Sequence, residues 1–289
     1  MKQLIASITW AAALAVPVFA AEPLPETAKL GEFYAGCQAY TFRLFDVMTA
    51  LDMIAAAGGK TVEFFPGQIL DQAADPALKF DHNTTVEQRA PVKAKLKELG
   101  LTPAGYGVVR LKNDEAETRK IFEFAKDMGI GIVVSEPAED SFDVIEKIVK
   151  EFDIKMAIHN HPKKPIDRAY RYWDPEYVLS LVKDRDPRLG SCADIGHWVR
   201  SGVKPVDAIR LLKGRIFDSH IKDLTAFGDP KAHDMIWGTG QSDIPAALRA
   251  FAEIGFYGPL HAEYEHKWED NLPDVKASLE FVKNFKTKP

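Results

Sequence analysis

The stretch CADIGHWVR, Cys192 to Arg200, decides the fold. It follows Leu189, Gly190 and Ser191 and opens like a buried strand, yet Asp194 and His197 come directly after it. A polar pair at that point is either trapped in a core at some cost or stands where a strand ends at an open mouth. The two cases separate once the other strands of the chain are compared with this one.

Working outward, eight β-rich runs alternate with amphipathic stretches: residues 34–40, 61–65, 103–109, 131–137, 155–161, 189–195, 215–223 and 259–265. Between them, TTVEQRAPVKAKLKELG spaces its apolar residues three and four apart, and DEAETRKIFEFAKDMG closes on a glycine suited to a helix C-cap. Eight strand-then-helix units with no linker-like tract between them predict a single (β/α)8 TIM barrel. A doubly wound open sheet is the competing arrangement. No G-x-G-x-x-G follows the first run, however, and GTGQSD at 238–243 fits neither a Walker nor a Rossmann loop, so no nucleotide cofactor is indicated.

Barrel strands are buried on both faces and should read as apolar throughout. Here polar residues collect at the C-terminal ends: Glu63, Glu136, His159 with His161, Asp194 with His197, His220 with Lys222 and Asp223, and His261 with Glu263 and Glu265. Active sites of this fold form at that end of the barrel, so Asp194 and His197 are read as mouth residues. Carboxylates and imidazoles gathered on one rim would repel or stay unsatisfied without a cation. The mixture suits a divalent ion, Mn2+ first, with Mg2+, Co2+ or Zn2+ as alternatives. The predicted ligands are Glu136, Asp194, His220 and Glu263, with His161 the rival for a place and His159 sharing its inward direction. The chain has no C-x-x-C and no H-E-x-x-H, which excludes a structural zinc or a zincin site on pattern.

The 289 residues carry a net charge of −5 and no basic run, so a nucleic-acid partner is not expected. Cys37 and Cys192 fall in the first and sixth runs, far apart around a barrel, and are read as two buried free thiols. The opening MKQLIASITWAAALAVPVFA reads as a secretory signal over residues 1–20, cleaved before Ala21. The barrel then occupies 21–289, exported to a bacterial periplasm. No later run is apolar enough for a spanning helix, so no membrane partner is expected after cleavage.

The motifs CQAYTFR, VEFFPGQ, AIHNHP, CADIGHW, FDSHIKD, GTGQSDI and HAEYE together resemble the xylose-isomerase-like TIM-barrel superfamily, over essentially the whole chain after the leader. That group includes sugar isomerases, ketose 3-epimerases, inosose dehydratases and apurinic endonucleases. In the ketose epimerases a metal is held by Glu, Asp, His and Glu from successive strand ends, and the resemblance places Asp194, His220 and Glu263 at the last three positions. The first falls at His159. Glu136, one strand earlier, makes the chain more similar to the inosose-dehydratase-like branch. The endonucleases need further histidines on the second and third strands, where this chain has Glu63 and Arg110, so DNA repair is rejected.

The resemblance implies a small sugar or glycoside substrate and removal of a proton next to its carbonyl, with an enediolate intermediate. Glu263, His159 or His161 serves as base, with Glu136 among the catalytic candidates, Lys222 polarises a substrate oxygen and His197 holds a hydroxyl. Arg43 and Trp198 are expected to line the pocket, Trp198 alternatively packing at the rim, and the segment TAFGDPKAHDMIW is long enough to act as a lid. Reprotonation gives an isomerase or epimerase; loss of a β-oxygen from a keto-sugar or 3-keto-glycoside gives a lyase or dehydratase. A periplasmic sugar-binding protein without catalysis is the alternative from another class.

Overall fold

The computed structural model describes residues 24–288; the expected leader lies outside them. Eight parallel strands form the barrel: β1 (Phe33–Gln38), β2 (Thr61–Phe64), β3 (Thr102–Val109), β4 (Ile132–Ser135), β5 (Lys155–His159), β6 (Leu189–Cys192), β7 (Ile216–Ile221) and β8 (Pro259–Ala262). Each pairs with the next in sequence, and β1 pairs with both β2 and β8, which closes the ring. The arrangement is a (β/α)8 barrel, as the alternation predicts.

The helices are α1 (Val47–Ala56), α2 (Val86–Leu99), α3 (Glu115–Met128), α4 (Phe142–Phe152), α5 (Pro175–Val182), α6 (Ile195–Arg200), α7 (Pro205–Leu211), α8 (Ile244–Glu253) and α9 (Leu272–Asn284). Local chemistry sets their ends. Thr85 and Gln88 form a reciprocal capping box at the start of α2, and Gly129 closes α3 at φ 73°. The apolar face of each helix packs on the outside of the strands, where Phe122, Ile145, Ile209, Leu248 and Leu279 are buried.

Most strands stop before the sequence pattern suggests, one to three residues short of its C-terminal bounds. After β6 the chain turns into α6, and Asp194 becomes the N-cap of that helix, its carboxylate accepting from the His197 N–H at 2.7 Å. Cys37 and Cys192 are buried and free.

The segment after β7 is fastened by Asp223. Its carboxylate accepts from the backbone N–H groups of Leu224 (3.0 Å), Gly238 (2.8 Å), Gly240 (2.8 Å) and Ser242 (3.0 Å). A Cβ on Gly240 would lie 2.4 Å from Asp223 Oδ1, so only glycine allows this approach. The H-x-K-D and GTGQS motifs are therefore two halves of one joint. Removing the acceptor costs about 1–3 kcal/mol for each group left unsatisfied. Asp223→Ala is expected to lose at least about 3 kcal/mol in urea unfolding, and an unchanged midpoint would show that the segment is held by something else.

Candidate active site

Four polar side chains meet at the C-terminal mouth. His159 ends β5, Asp194 lies two residues past β6, His220 is inside β7 and Glu263 follows β8. One nitrogen or oxygen atom of each lies within 4.8 Å of the others, and all four residues are buried. His220 Nδ1 is 3.1 Å from Glu263 Oε2 and 3.8 Å from Asp194 Oδ2, and His159 Nε2 is 3.7 Å from the same Asp194 oxygen. Asn160 braces Asp194 through both backbone groups, accepting its N–H at 3.1 Å and donating to its carbonyl at 2.9 Å.

Lys222 enters this group from β7. Its fully buried ammonium donates to Asp194 Oδ2 at 2.5 Å and also to Glu263 Oε2, with Glu265 Oε2 at 3.3 Å. Burial opposes its charge, but Asp194, Glu263 and Glu265 reverse that and hold the ammonium protonated well above the usual lysine range. For Glu263, burial is outweighed by Lys222 and His220, which keep the carboxyl ionised. A Cβ on Gly196 would sit 2.4 Å from that of Lys222, so the glycine of D-x-G-H makes room for the lysine of H-x-K-D.

Beneath lies a second polar layer. His220 Nε2 is 2.8 Å from Glu63 Oε2, so a carboxylate stands behind the imidazole that faces Glu263. His261 Nδ1 contacts Asp218 Oδ1 at 2.9 Å and Glu63 Oε2 at 3.4 Å, and Gln38 donates to Glu63 at 3.2 Å. Burial raises the Glu63 pKa, but His220 and His261 overcome it and bring the group down to about 2. The sequence reading noted Glu63 without a role. Its signal was a carboxylate in an otherwise apolar strand, VEFF.

Glu136 does not join Asp194, His220 and Glu263; His159 stands in that place. Glu136 follows β4 and groups with His159 and His161 on the adjoining side of the mouth. Its Oε1 contacts His161 Nδ1 at 2.5 Å, accepts from the Tyr170 hydroxyl at 2.6 Å and lies 3.6 Å from His159 Nδ1. Burial is again outweighed, here by the two histidines, and Glu136 stays ionised well below the usual carboxylate range. The His161 side chain is 45% exposed, so the ring is anchored at one nitrogen and open to solvent. Tyr170, on a segment without regular structure, gave no signal in the sequence. Beside this pair a cavity of about 500 Å³ is lined by Arg110, Lys164, Tyr170 and Tyr172.

The remaining expected residues divide. His197 is buried at the site, stacked on His161 at 5.2 Å with Nε2 3.6 Å from Asp194 Oδ2, and burial holds its ring well below the usual imidazole range. Trp198 is a core residue, not a pocket residue: one step further round α6, its side chain joins the main apolar cluster. Arg43 is exposed, with Tyr40 and Trp268 as its partners. The expected lid carries a short pairing between 223–224 and 234–235, and its His233 stacks on His266 at 4.3 Å. A cavity of about 530 Å³ at the opposite end of the barrel has Ile132, Phe152, Phe217 and Lys155 in its wall.

His261 gives a pH prediction. Burial lowers its pKa, but Asp218 and Glu63 raise it from 6.5 to about 9. A folded-state pKa raised in this way stabilises the fold fully below pH 6.5 and is lost as pH rises through 9, worth on the order of 3 kcal/mol. Chelator-treated protein is expected to lose stability between pH 6.5 and 9, and Asp218→Asn to flatten that decline. Equal slopes in denaturant unfolding would refute the assignment.

With the geometry in place, the likeness to known proteins is specific. A solved structure of an uncharacterized protein from Parabacteroides distasonis is 31% identical with a TM-score of 0.70, covering 86% of this chain and 98% of that one. The D-allulose 3-epimerase from Methylomonas sp. has the same fold, with 15% identity, a TM-score of 0.65, and coverage of 86% and 96%. A curated mannonate dehydratase from Brachyspira hyodysenteriae is 32% identical over 123 residues, 40% of this chain. That match spans 34% of the dehydratase. Residues 51–285 match the family described as xylose isomerase-like TIM barrel, and the chain, which carries that barrel with its polar mouth, belongs to this family.

Proposed function

We propose that the chain is a divalent-metal-dependent sugar isomerase or epimerase that removes a proton next to a carbonyl. One observation carries the metal: His159 is 1% exposed, and neither of its ring nitrogens has a hydrogen-bond partner. A buried imidazole left this way costs about 1–3 kcal/mol. An ion shared with Asp194, His220 and Glu263 removes that cost at Nε2. Two imidazoles and two carboxylates suit Mn2+, Co2+ or Zn2+, and Glu63 behind His220 supplies the supporting carboxylate such sites use. A divalent cation held there supplies Lewis acidity to a carbonyl and its neighbouring hydroxyl.

The chain's own groups do the rest. Glu263, ionised at working pH, accepts the proton from carbon. Its low basicity makes stabilisation of the developing oxyanion necessary, and the buried Lys222 ammonium supplies part of it. His161, fixed through Nδ1 by Glu136, offers Nε2 as the proton carrier on the other side of the mouth. Epimerases among proteins of the same fold support this reading.

Elimination is the second reading, favoured by one feature. Where a ketose epimerase has a fifth-strand glutamate this chain has His159, and the proton carrier becomes an imidazole able to protonate a departing oxygen. The curated relative named a dehydratase points the same way. A 3-keto-glycoside is then the substrate class, and export through residues 1–20 is proposed to place the enzyme where glycosides are met.

The test is metal analysis of the purified protein with solvent deuterium uptake into keto-sugars and 3-keto-glycosides, with and without chelator. Metal-dependent uptake is expected, reduced by Glu263→Gln and by His161→Gln about 10²- to 10⁴-fold each. Product identity separates isomer from elimination. Metal and sugar binding without exchange supports the sugar-binding alternative, and a chain that binds no metal overturns the proposal.

A further inference from the structure

Arg200 ends α6, three residues beyond His197, and its side chain is buried. The guanidinium is fully engaged. Nε donates to the Ala232 carbonyl at 3.0 Å, Nη2 to Asp234 Oδ2 at 3.2 Å, and Nη1 to Glu265 Oε2 at 3.3 Å. Nη1 also lies 3.0 Å from His197 Nδ1.

That last contact fixes a proton. A guanidinium has only donors, so His197 Nδ1 must present its lone pair, and the neutral ring then carries its hydrogen on Nε2. Nε2 faces Lys222 Nζ at 3.4 Å and Asp194 Oδ2 at 3.6 Å. An ammonium also has only donors, so the contact between Lys222 and His197 is not a hydrogen bond. The acceptor nearest both, Asp194 Oδ2, is bonded to Lys222 at 2.5 Å but lies beyond hydrogen-bond reach of His197 Nε2 at 3.6 Å, so the His197 N–H lacks a protein acceptor, and the atom that fits beside it and the ammonium is an acceptor oxygen.

We propose that Arg200 is a positioning residue that holds His197 in its Nε2–H form, so that His197 and Lys222 offer two donors to one substrate oxygen. The substrate oxygen rests on the proton-abstraction reading; the ring tautomer does not. Asp234 and Glu265 balance the guanidinium, and Asp234 and Ala232 lie in the segment after β7, so Arg200 also ties that segment to the site. The fork shape explains the residue type, because four acceptors in different directions exceed what one ammonium can satisfy.

The full chain labelled with 15N-histidine, metal-free and with Zn2+, is read by long-range 1H–15N NMR, with His197 assigned from its loss in His197→Gln. The wild type is expected to show an unprotonated Nδ1 and a protonated Nε2. Arg200→Met is expected to lose that signature and Arg200→Lys to keep part of it. In the exchange assay Arg200→Met is expected to lower kcat about 10- to 100-fold, the range of supporting residues behind a site, with KM moved less. A wild-type His197 protonated at Nδ1 overturns the proposal, whether or not Arg200→Met folds. An unchanged tautomer in Arg200→Met, or a shifted tautomer with unchanged kcat, also overturns it. If no sugar exchanges in the wild type, the proton-abstraction reading fails while the NMR result still decides the role of Arg200.

Discussion

Four carboxylates, Glu63, Asp194, Asp218 and Glu263, are buried within the mouth of one barrel, and the rest of the site follows from pairing them there. An unpaired carboxylate in such surroundings costs several kcal/mol. Each of these has a cationic or imidazole partner: His220 for Glu63, Lys222 for Asp194, His261 for Asp218, and Lys222 with His220 for Glu263. The partners come from β7 and β8, and the carboxylates they serve from strands on both sides. Charge pairing therefore knits the strand ends that the apolar layers beneath have brought to one level.

This demand also explains the glycines around it. Lys222 reaches Asp194 only because Gly196 has no side chain, and Gly105 leaves space that a Cβ would take from Glu63 Cγ at 2.8 Å and Asp218 Oδ2 at 3.0 Å. The residues of D-x-G-H and H-x-K-D answer each other across two strands. Asp223 serves a different end, fixing the segment that carries Asp234 and so the far side of the Arg200 guanidinium.

The fold was legible because period and length survive in the sequence: all eight strand runs of the alternation overlap the eight strands of the barrel. That Asp194, His220 and Glu263 reach one mouth was legible too, since polar residues recur at the same end of strand after strand. What the sequence hides is reach. Glu136 and His159 are both strand-end residues, and a one-dimensional reading has no means of telling that one stops on the flank while the other enters the central group. Trp198 packs in the core and not along the pocket because a short helix turns this neighbour of His197 inward. Arg200 and Tyr170 act through contacts set by tertiary structure, 65 residues from Glu265 in one case and 34 from Glu136 in the other, and no local pattern marks them.

The exchange of a carboxylate for His159 has a chemical consequence that reaches beyond charge counting. Where two glutamates flank a substrate, each is ionised near neutral pH and can deliver a proton only after taking one. With His159 in the central group, Glu136 is free to hold His161, and in the proposed reaction proton transfer on that side passes to an imidazole. A histidine side chain can accept a proton or give one up. It can return a proton to carbon or give one to a departing oxygen without first removing one from the substrate. The half-exposed ring of His161, anchored by a carboxylate that stays ionised, suits that second task as well as the first in the proposed reaction. Under the proposed function, reaction outcome depends on which substrate atom stands opposite Nε2, a matter of how a sugar is seated against Lys222 and His197 and not of which base begins the reaction.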